Sequence, residues 1–503
     1  MASVLLSDLL AGASTTAIDG PADISVSAIT ADSRAVGPGS AFVAVRGFTH
    51  DGHAFVAEAV ARGARAVVVE HAVAAAPGAT VVTVPDTRVA LAQMSAAFFG
   101  HPSAALTLIG ITGTNGKGTT AALIDAILTR AGKTTGIIGT LGARVGGRDR
   151  ALGRTTPEAP EVQALLREMV DAGTTHAVME VASHGLTLHR VDGCRFAAAV
   201  FTNLTQDHLD FHGTMDDYRR AKQRLFEMVD PDGVSVLNAD DPAAAAFAAA
   251  SRARVLTYGV RHPADVRAED LSLTVAGTAY AVRTAAGTAK ITTRLRGTFN
   301  VFNTLAALAT AMTLDVPLEV AADAVARFPG VPGRFEAVDE GQPFAVIVDY
   351  AHTPDSLENV LRTARGLTRA RVIAVFGAGG DRDRTKRPAM GAIAAGLADV
   401  AIVTSDNPRG EDPMAIIDEV MSGVRGPMSG VRFEVEPDRR RAIARAIDVA
   451  AEGDVVVIAG KGHEPYQEIQ GVKHPFDDRQ VAREVLRHRW ASGIGLPEAR
   501  GRP

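Results

Sequence analysis

The sequence predicts an α/β protein of three domains: a small N-terminal α/β domain, a central doubly wound domain of the P-loop type, and a Rossmann-like C-terminal domain. Three observations carry this prediction. At 503 residues the chain is longer than one hydrophobic core sustains, and the usual domain size gives about three units. Short apolar runs alternate with helical patterns along most of its length, as in sheets covered by helices. A Gly-rich turn between a strand-like run and a helical run opens the middle third, and Pro329-Gly-Val-Pro-Gly333 breaks the chain again. The expected boundaries are 1–103, 104–334 and 335–503.

In the first segment, strand-like Ala41 to Val45 and Ala66 to Val69 flank a helical pattern at Ala54 to Arg62, and the domain ends near His101-Pro102. The second opens with a strand at Leu106 to Thr112 and a helix at Thr119 to Ala131, whose Ala121, Ile124, Ile127, Leu128 and Ala131 share a face before Gly132 stops it. Ala177 to Val181, Ala197 to Leu204 and Val234 to Leu237 are its further strands. The third alternates strands at Phe344 to Asp349, Val372 to Phe376, Val400 to Thr404 and Val455 to Ile458 with helices. From Pro497 the tail has no periodicity and is expected to be loose.

Composition narrows the function. Hydrophobic residues are 47% and charged ones 22%, as in soluble enzymes, and 52 basic against 57 acidic residues leave no basic excess for nucleic acid. Cys194 is the only cysteine, so no internal disulfide can form, and a reducing, cytoplasmic compartment is expected; Cys194 itself reads as a small buried hydrophobe. Met1 to Ala11 lacks the basic residues of a signal peptide, and the Ala243 to Ala250 run, bounded by Asp241 and Arg252, is too short to span a bilayer. Membrane insertion is not expected, and a monomer is.

The middle turn reads Gly113-Thr114-Asn115-Gly116-Lys117-Gly118-Thr119-Thr120. Glycines let backbone N–H groups and a helix N-terminus face phosphate oxygens, and Lys117 would reach the terminal phosphates. Ile111 replaces the first Gly of the general P-loop formula, and Gly118 stands where Ser or Thr follows the Lys, so Thr119 becomes the hydroxyl for Mg²⁺. Glu180, ending an apolar strand, can hold Mg²⁺ opposite it. Phe201 to Gly213 adds two Asp and two His residues, although His208 alone reads equally as a capped loop residue. Gly377-Ala-Gly-Gly380 lacks dinucleotide-binding spacing and carries no such reading.

Together with Tyr218 and Ala221-Lys222, this stretch resembles the Mur ligase family, and the resemblance covers nearly the whole chain. It implies an ATP-dependent ligase that activates a carboxylate as an acyl phosphate, with Mg²⁺ held by Thr119 and Glu180. It also implies that Lys222 is carbamylated by CO₂ and holds a second Mg²⁺ with His208; the plain alternative is a surface lysine on an amphipathic helix. Asp32-Ser-Arg34 and Gly47-Phe-Thr-His-Asp-Gly52 resemble the family's uridine-nucleotide domain, implying contacts from Ala31, Ser33, Phe48, Thr49 and His50. Thr155, Thr156 and Arg190 match positions for the sugar-peptide, UDP-N-acetylmuramoyl-L-alanyl-D-glutamate, whereas Ala182 and Leu188 replace the Ser and Gln of many members. Asn303, Arg334, Asp349 and His352 match ATP contacts, although Asp349 and His352 could instead cap the helix after Pro354.

Asp406-Asn407-Pro408-Arg409 resembles the signature of members that choose meso-diaminopimelate over lysine, with Arg382, Gly460 and Glu464 completing the implied site. An Arg fork pairs with the extra carboxylate of diaminopimelate, and lysine offers it nothing. From its four residues alone, the motif reads as a Pro turn with a solvated Arg. Two ligase alternatives remain: a folylpolyglutamate synthase, which shares the G-T-N-G-K-G loop, and a lysine-adding Mur ligase. A non-catalytic nucleotide sensor is disfavoured by Lys117, Glu180, His208 and Lys222. Three substrates must meet, so closure hinging near Pro332-Gly333 is expected.

Overall fold

The computed structural model describes residues 3–48, 50–73, 77–274, 276–424 and 431–491. They pack as two compact units. The first is Met1–Leu204, His212–Arg267 and Asn303–Ala324; the second is Thr205–Phe211, Ala268–Phe302 and Val325–Pro503. The N-terminal and central sheets fall in one unit because helix α1 (Thr87–Phe98) belongs to both. Its Leu91 and Met94 fill the N-terminal core together with Ala159, the first residue of the central domain's α3.

In the N-terminal sheet, Ala28–Thr30, Ser40–Val43, Ala66–Val69 and Thr80–Thr83 run parallel in that order, and Ala17–Asp19 joins the far edge antiparallel. Ser40–Val43 and Ala66–Val69 are buried at every position, as interior parallel strands covered on both faces must be. The expected helix at 54–62 is a 3₁₀ turn, Gly52–Phe55, running into a short helix, Val56–Ala61.

The central domain is built on β1 (Thr107–Thr112), α2 (Lys117–Arg130), β2 (Thr135–Gly139), α3 (Ala159–Asp171), β3 (His176–Glu180), β4 (Phe196–Phe201), α4 (Met215–Glu227), β5 (Val229–Asn238) and β6 (Arg254–Gly259). Its parallel order is β2-β3-β1-β4-β5-β6. Strand β1 therefore lies between β3 and β4, and all three end on the same side. Among the strands absent from the sequence reading, two hairpins extend the β-structure. Gly142–Val145 and Arg148–Arg150 form a hairpin beside β2 around Gly146-Gly147, both with positive φ, and Gly277–Thr284 pairs with Gly287–Thr293 in the second unit. A Gly-Gly pair between two extended runs is a hairpin signal.

The C-terminal domain contains β7 (Ala345–Asp349), α5 (Pro354–Leu367), β8 (Val372–Phe376), α6 (Lys386–Leu397), β9 (Val400–Val403), β10 (Arg432–Val435), α7 (Arg439–Val449) and β11 (Val455–Ala459). Its strands run parallel in the order β7-β11-β8-β9-β10. Two apolar clusters cover its two faces.

One charged pair sits inside this domain. Arg439 and Asp478 have wholly buried side chains joined by two hydrogen bonds, Nε to Oδ1 at 2.8 Å and Nη2 to Oδ2 at 2.7 Å. Arg439 also donates to the carbonyls of Ser405 at 3.3 Å and Ala459 at 3.0 Å, and so ties the loop after β9 to the end of β11. Arg439→Met would strand the Asp478 carboxylate, and urea denaturation should show a loss of about 3–5 kcal/mol; a change below about 1 kcal/mol would contradict the role given to this pair.

Candidate active site

The phosphate loop sits between β1 and α2. Helix α2 starts at Lys117, two residues before the expected Thr119, so its positive end lies at the loop itself. The end of β4 clamps the loop. The N–H of Asn115 donates to Asn203 Oδ1 at 2.9 Å, Asn203 Nδ2 donates to the Asn115 carbonyl at 3.0 Å, and the N–H of Thr114 donates to the Asn203 carbonyl at 2.8 Å. Thr202 Oγ1 adds a 2.7 Å bond to the Asn115 carbonyl. Neither Thr202 nor Asn203 was singled out from the sequence, though both stand in the Phe201-to-Gly213 stretch. Gly116 has φ +87°, and a Cβ there would collide with Asn303 Oδ1, so Asn303 is brought to the loop as expected.

Lys117 Nζ folds back on the carbonyls of Gly113 and Thr114, each at 2.9 Å. Lys222 Nζ reaches the same Gly113 carbonyl at 2.8 Å and lies 4.4 Å from the centroid of the Tyr218 ring. The Tyr218 hydroxyl is 3.2 Å from Thr114 Oγ1. On α4, Tyr218, Ala221, Lys222, Leu225 and Phe226 form the buried face, and Lys222 is 1% exposed. The surface-lysine alternative is therefore wrong. Two amines at one carbonyl concentrate positive charge beside the loop, which an anion there would relieve.

Glu180 at the end of β3 is buried and faces Thr140, accepting from its N–H at 2.8 Å and its hydroxyl at 3.2 Å. At the Gly118 departure a Cβ would stand 3.3 Å from Glu180 Oε1, a tight contact with the end of that side chain. Gly139 is tighter still: its Cβ would collide with the same oxygen. Thr119 is buried in the same first turn of α2. His208 belongs to the second unit, whereas Thr119, Glu180 and Lys222 belong to the first. It has φ +54°, and its Nε2 is 3.3 Å from Asp207 Oδ2. Among the described residues no three His, Cys, Asp or Glu side chains gather as a metal site.

Thr155, Thr156, Ala182 and Arg190 come together around the Glu180 strand end. Thr156 Oγ1 donates to the Glu180 carbonyl at 2.9 Å and accepts from the Ala182 N–H at 3.0 Å, while Thr155 and Thr140 hydroxyls meet at 3.1 Å. Arg190 donates to the Thr156 carbonyl at 3.1 Å and pairs with Glu158 at 2.8 Å. Burial pulls the Arg190 pKa down against the opposing pull of Glu158. Leu188 ends the short helix Ser183–Thr187 and is half-buried. In the N-terminal domain, Asp32 caps its turn by accepting from the Arg34 N–H at 3.0 Å, leaving Ala31 and Ser33 half-buried beside it. Phe48 is 78% exposed, and His50 meets Phe55 edge-on at 6.4 Å. Thr49 lies outside the described residues. Cys194 is buried, and burial pushes its thiol up to about 12, the inert state expected for it.

In the second unit, the Arg334 guanidinium lies 4.6 Å from the Tyr350 ring centroid, and Asp349 accepts from the Phe335 N–H at 2.6 Å. Burial raises the Asp349 pKa against the pull of Arg334. His352 Nδ1 lies 2.7 Å from the Tyr350 carbonyl, which can only accept, so Nδ1 carries the proton and Nε2 the lone pair. Burial, reinforced by Lys386, keeps this imidazole neutral. Helix α5 is capped by a reciprocal Thr353–Ser356 box, which removes the capping alternative for Asp349 and His352.

The loops after β8, β9 and β11 gather most of the Asp406-to-Arg409 constellation. A Cβ at Gly460 would collide with the Asp406 carboxylate, and one at Gly380 with the Pro408 carbonyl. Asn407 Nδ2 donates to Glu464 Oε2 at 2.9 Å. Arg409 has φ +50°, donates to the Gly380 carbonyl at 2.7 Å and faces Glu468 at 3.3 Å, so it is not a solvated arginine. Arg382 is exposed on its loop. Beneath that loop, Arg387 is wholly buried and binds Glu411 and Glu419; its hydrogen bonds hold Glu411 down at about 2. Lys461, buried and bonded to Asn407, escaped the sequence reading.

Family models match in chain order: Mur ligase family, catalytic domain at residues 25–99; Mur ligase middle domain at 111–311; and Mur ligase, glutamate ligase domain at 333–462. The chain is 47% identical over 471 residues to the UDP-N-acetylmuramoyl-L-alanyl-D-glutamate–2,6-diaminopimelate ligase of Syntrophomonas wolfei, covering 93% of this chain and 96% of that one. The chain belongs to the Mur ligase family. The ligase of the same description from Geobacillus kaustophilus is 49% identical, over 92% of this chain and 95% of its own. A solved Mur ligase structure with that description superimposes with a TM-score of 0.70 at 34% identity, covering 97% of this chain and 99% of that one. The three-domain α/β organisation is thus that of Mur ligases. The MurF ligase of Thermotoga maritima in complex with ADP, at 19% identity and TM-score 0.61, shares the fold over 93% of this chain and 97% of its own.

The crowding at Gly139 gives a test of the Glu180 position. Gly139→Ala should lower ATP turnover by about tenfold or more, with a melting shift of only a few degrees. Turnover at the parental rate in a steady-state ADP-release assay would show that the carboxylate has no fixed role.

Proposed function

We propose that the protein is an ATP-dependent ligase that joins meso-2,6-diaminopimelate to the D-glutamate side-chain carboxylate of UDP-N-acetylmuramoyl-L-alanyl-D-glutamate, in cytoplasmic peptidoglycan precursor synthesis. The observation that carries it is the Asp406-to-Arg409 loop, with Glu464, Gly460 and Arg409 in one cluster, in a chain nearly half identical to ligases so described. Among the described residues no helix is long and apolar enough to cross a membrane.

The chemistry follows from the weakness of a carboxylate as an electrophile. A carboxylate oxygen takes the γ-phosphoryl group of ATP, giving ADP and an acyl phosphate. The amine of diaminopimelate then attacks the carbonyl carbon, phosphate leaves, and the amine loses a proton as the amide forms. Lys117 and the start of α2 serve the phosphates, with Gly113, Thr114, Asn115, Gly116 and Gly118 shaping the loop and Asn303, Arg334, Asp349 and His352 serving the rest of ATP. A buried carboxylate and hydroxyl, Glu180 and Thr119, suit a hard cation such as Mg²⁺. Lys222 as a carbamate, with His208, would suit a second one. Mg²⁺ supplies charge neutralisation on the transferring phosphoryl group.

Ala31, Ser33, Phe48, Thr49 and His50 serve the uridine nucleotide, and Thr155, Thr156, Ala182, Leu188 and Arg190 the muramoyl dipeptide. Hydroxyls and a guanidinium fit its phosphate and carboxylate oxygens. Arg382, Asp406, Asn407, Pro408, Arg409, Gly460 and Glu464 serve diaminopimelate. The folylpolyglutamate reading has no use for this last set, and a lysine substrate would leave Arg409 without its carboxylate.

ADP release should require the muramoyl dipeptide and respond to meso-diaminopimelate far more than to lysine or glutamate; preference for lysine or glutamate would overturn the assignment. Lys222→Ala should lose most activity, about a hundredfold or more, and recover part of it with short carboxylic acids. Unchanged turnover would remove the carbamate from the mechanism.

A further inference from the structure

Lys461 has no role in the reading above, yet its side chain is wholly buried. An ammonium out of water costs on the order of several kcal/mol unless partners replace its hydration, so the partners indicate its purpose. Nζ donates to Asn407 Oδ1 at 3.0 Å and stands 3.3 Å from Glu464 Oε2, with the Tyr466 ring centroid at 5.4 Å. Asn407 Nδ2 donates to that same Glu464 oxygen at 2.9 Å, and Asn407 Oδ1 also accepts the Glu468 N–H at 2.9 Å. Lys461, Asn407 and Glu464 therefore close a triangle. Glu468 links it to Arg409, and Asp406 lies against Gly460, the residue before Lys461.

We propose that Lys461 is the positioning and specificity residue of the amino-acid site, acting through Glu464 and Asn407; the proposal rests on the diaminopimelate reading. Both side-chain bonds to Glu464 end on Oε2, so they fix the carboxylate through one oxygen and leave Oε1 as the acceptor for an incoming ammonium. The charge effect is separate. At pH 7 the formal charges of Asp406, Glu464 and Glu468 oppose those of Lys461 and Arg409, with Arg382 at the rim. Diaminopimelate, with two ammonium and two carboxylate groups, has no net charge, whereas lysine is a cation. Without Lys461 the pocket gains negative character and favours the cation. Arg409 recognises the far carboxylate, and Lys461 removes the electrostatic advantage that lysine would otherwise hold.

The test is steady-state ADP release by the full chain with ATP, the muramoyl dipeptide, and either meso-diaminopimelate or lysine. Lys461→Met should raise KM for diaminopimelate about tenfold while kcat and the KM values of the other two substrates stay within about threefold. The ratio of kcat/KM for diaminopimelate over lysine should fall about tenfold, and Lys461→Arg should restore most of it. Glu464→Gln should move that ratio the opposite way, and in the double variant the KM effects should be less than additive. Glu464→Gln carries the test by its sign even where Lys461→Met does not fold. Unchanged KM and ratio in folded Lys461→Met, an equal rise in KM for ATP, additive effects, or a Glu464→Gln shift in the same direction would each overturn the proposal. Absence of diaminopimelate-dependent turnover in the parent chain would instead overturn the functional reading itself.

Discussion

A parallel sheet covered on both faces can expose polar chemistry only where its strands end, and many of the candidate site residues of this chain follow from that constraint. The phosphate loop follows β1, Glu180 ends β3, and Asn203 lies just past β4. In the C-terminal sheet, Asp349 ends β7, Gly377 follows β8, Asp406 follows β9 and Gly460 follows β11. Strand interiors such as Val372–Phe376 and Val455–Ala459 are apolar and buried throughout, so they fix where the loops begin without taking part in chemistry. A rigid ladder with variable ends lets precision at the site come from the sheet.

Once charges are drawn to those ends, desolvation decides their arrangement. Arg439 meets Asp478, Arg387 meets Glu411 and Glu419, and Lys461 meets Glu464 and Asn407, each cation buried and each with acidic or amide oxygens in reach. The Arg439 pair also holds the carbonyls of Ser405 and Ala459, so the loops carrying Asp406 and Gly460 are fixed from below. Lys222 differs. Its contacts include a carbonyl and an aromatic face, and it shares the carbonyl with Lys117. A position that concentrates cations this way is suited to phosphate, or to a lysine that gives up its charge.

Much of this was legible in the sequence where local rules and chemistry coincide. The strand at Val372 to Phe376 and the start of α5 at Pro354 follow from apolar runs, β-branching and a Pro at a helix N-terminus. The hairpin around Gly146-Gly147 was missed because its strands are short and one of them is wholly polar, with only the paired glycines to mark them. The site divides the same way. Lys117, Glu180 and Asn303 were singled out because their residue types state their chemistry, whereas Asn203 holds the backbone of the phosphate loop and Lys461 holds other side chains, relations set by tertiary packing. Even the Gly118 departure was visible without its surroundings, because the Glu180 carboxylate beside it is 62 positions away in sequence.

Amino-acid selection shows why a motif is weaker than the arrangement that contains it. Arg409 taken alone is one cation on a Pro turn, and a cation attracts any carboxylate. In the structure its backbone is held left-handed, one N–H group is committed to the Gly380 carbonyl, and Glu468 stands beside it. Its remaining freedom is therefore directional, and a carboxylate must arrive from one side to be paired. Glu464, oriented by Lys461 and Asn407, supplies the opposite charge within the same cluster. A substrate that satisfies both must carry an ammonium and a carboxylate at a fixed separation, in addition to the amine that reacts. Under the proposed reading, diaminopimelate meets that requirement, and lysine lacks the carboxylate that would pair with Arg409.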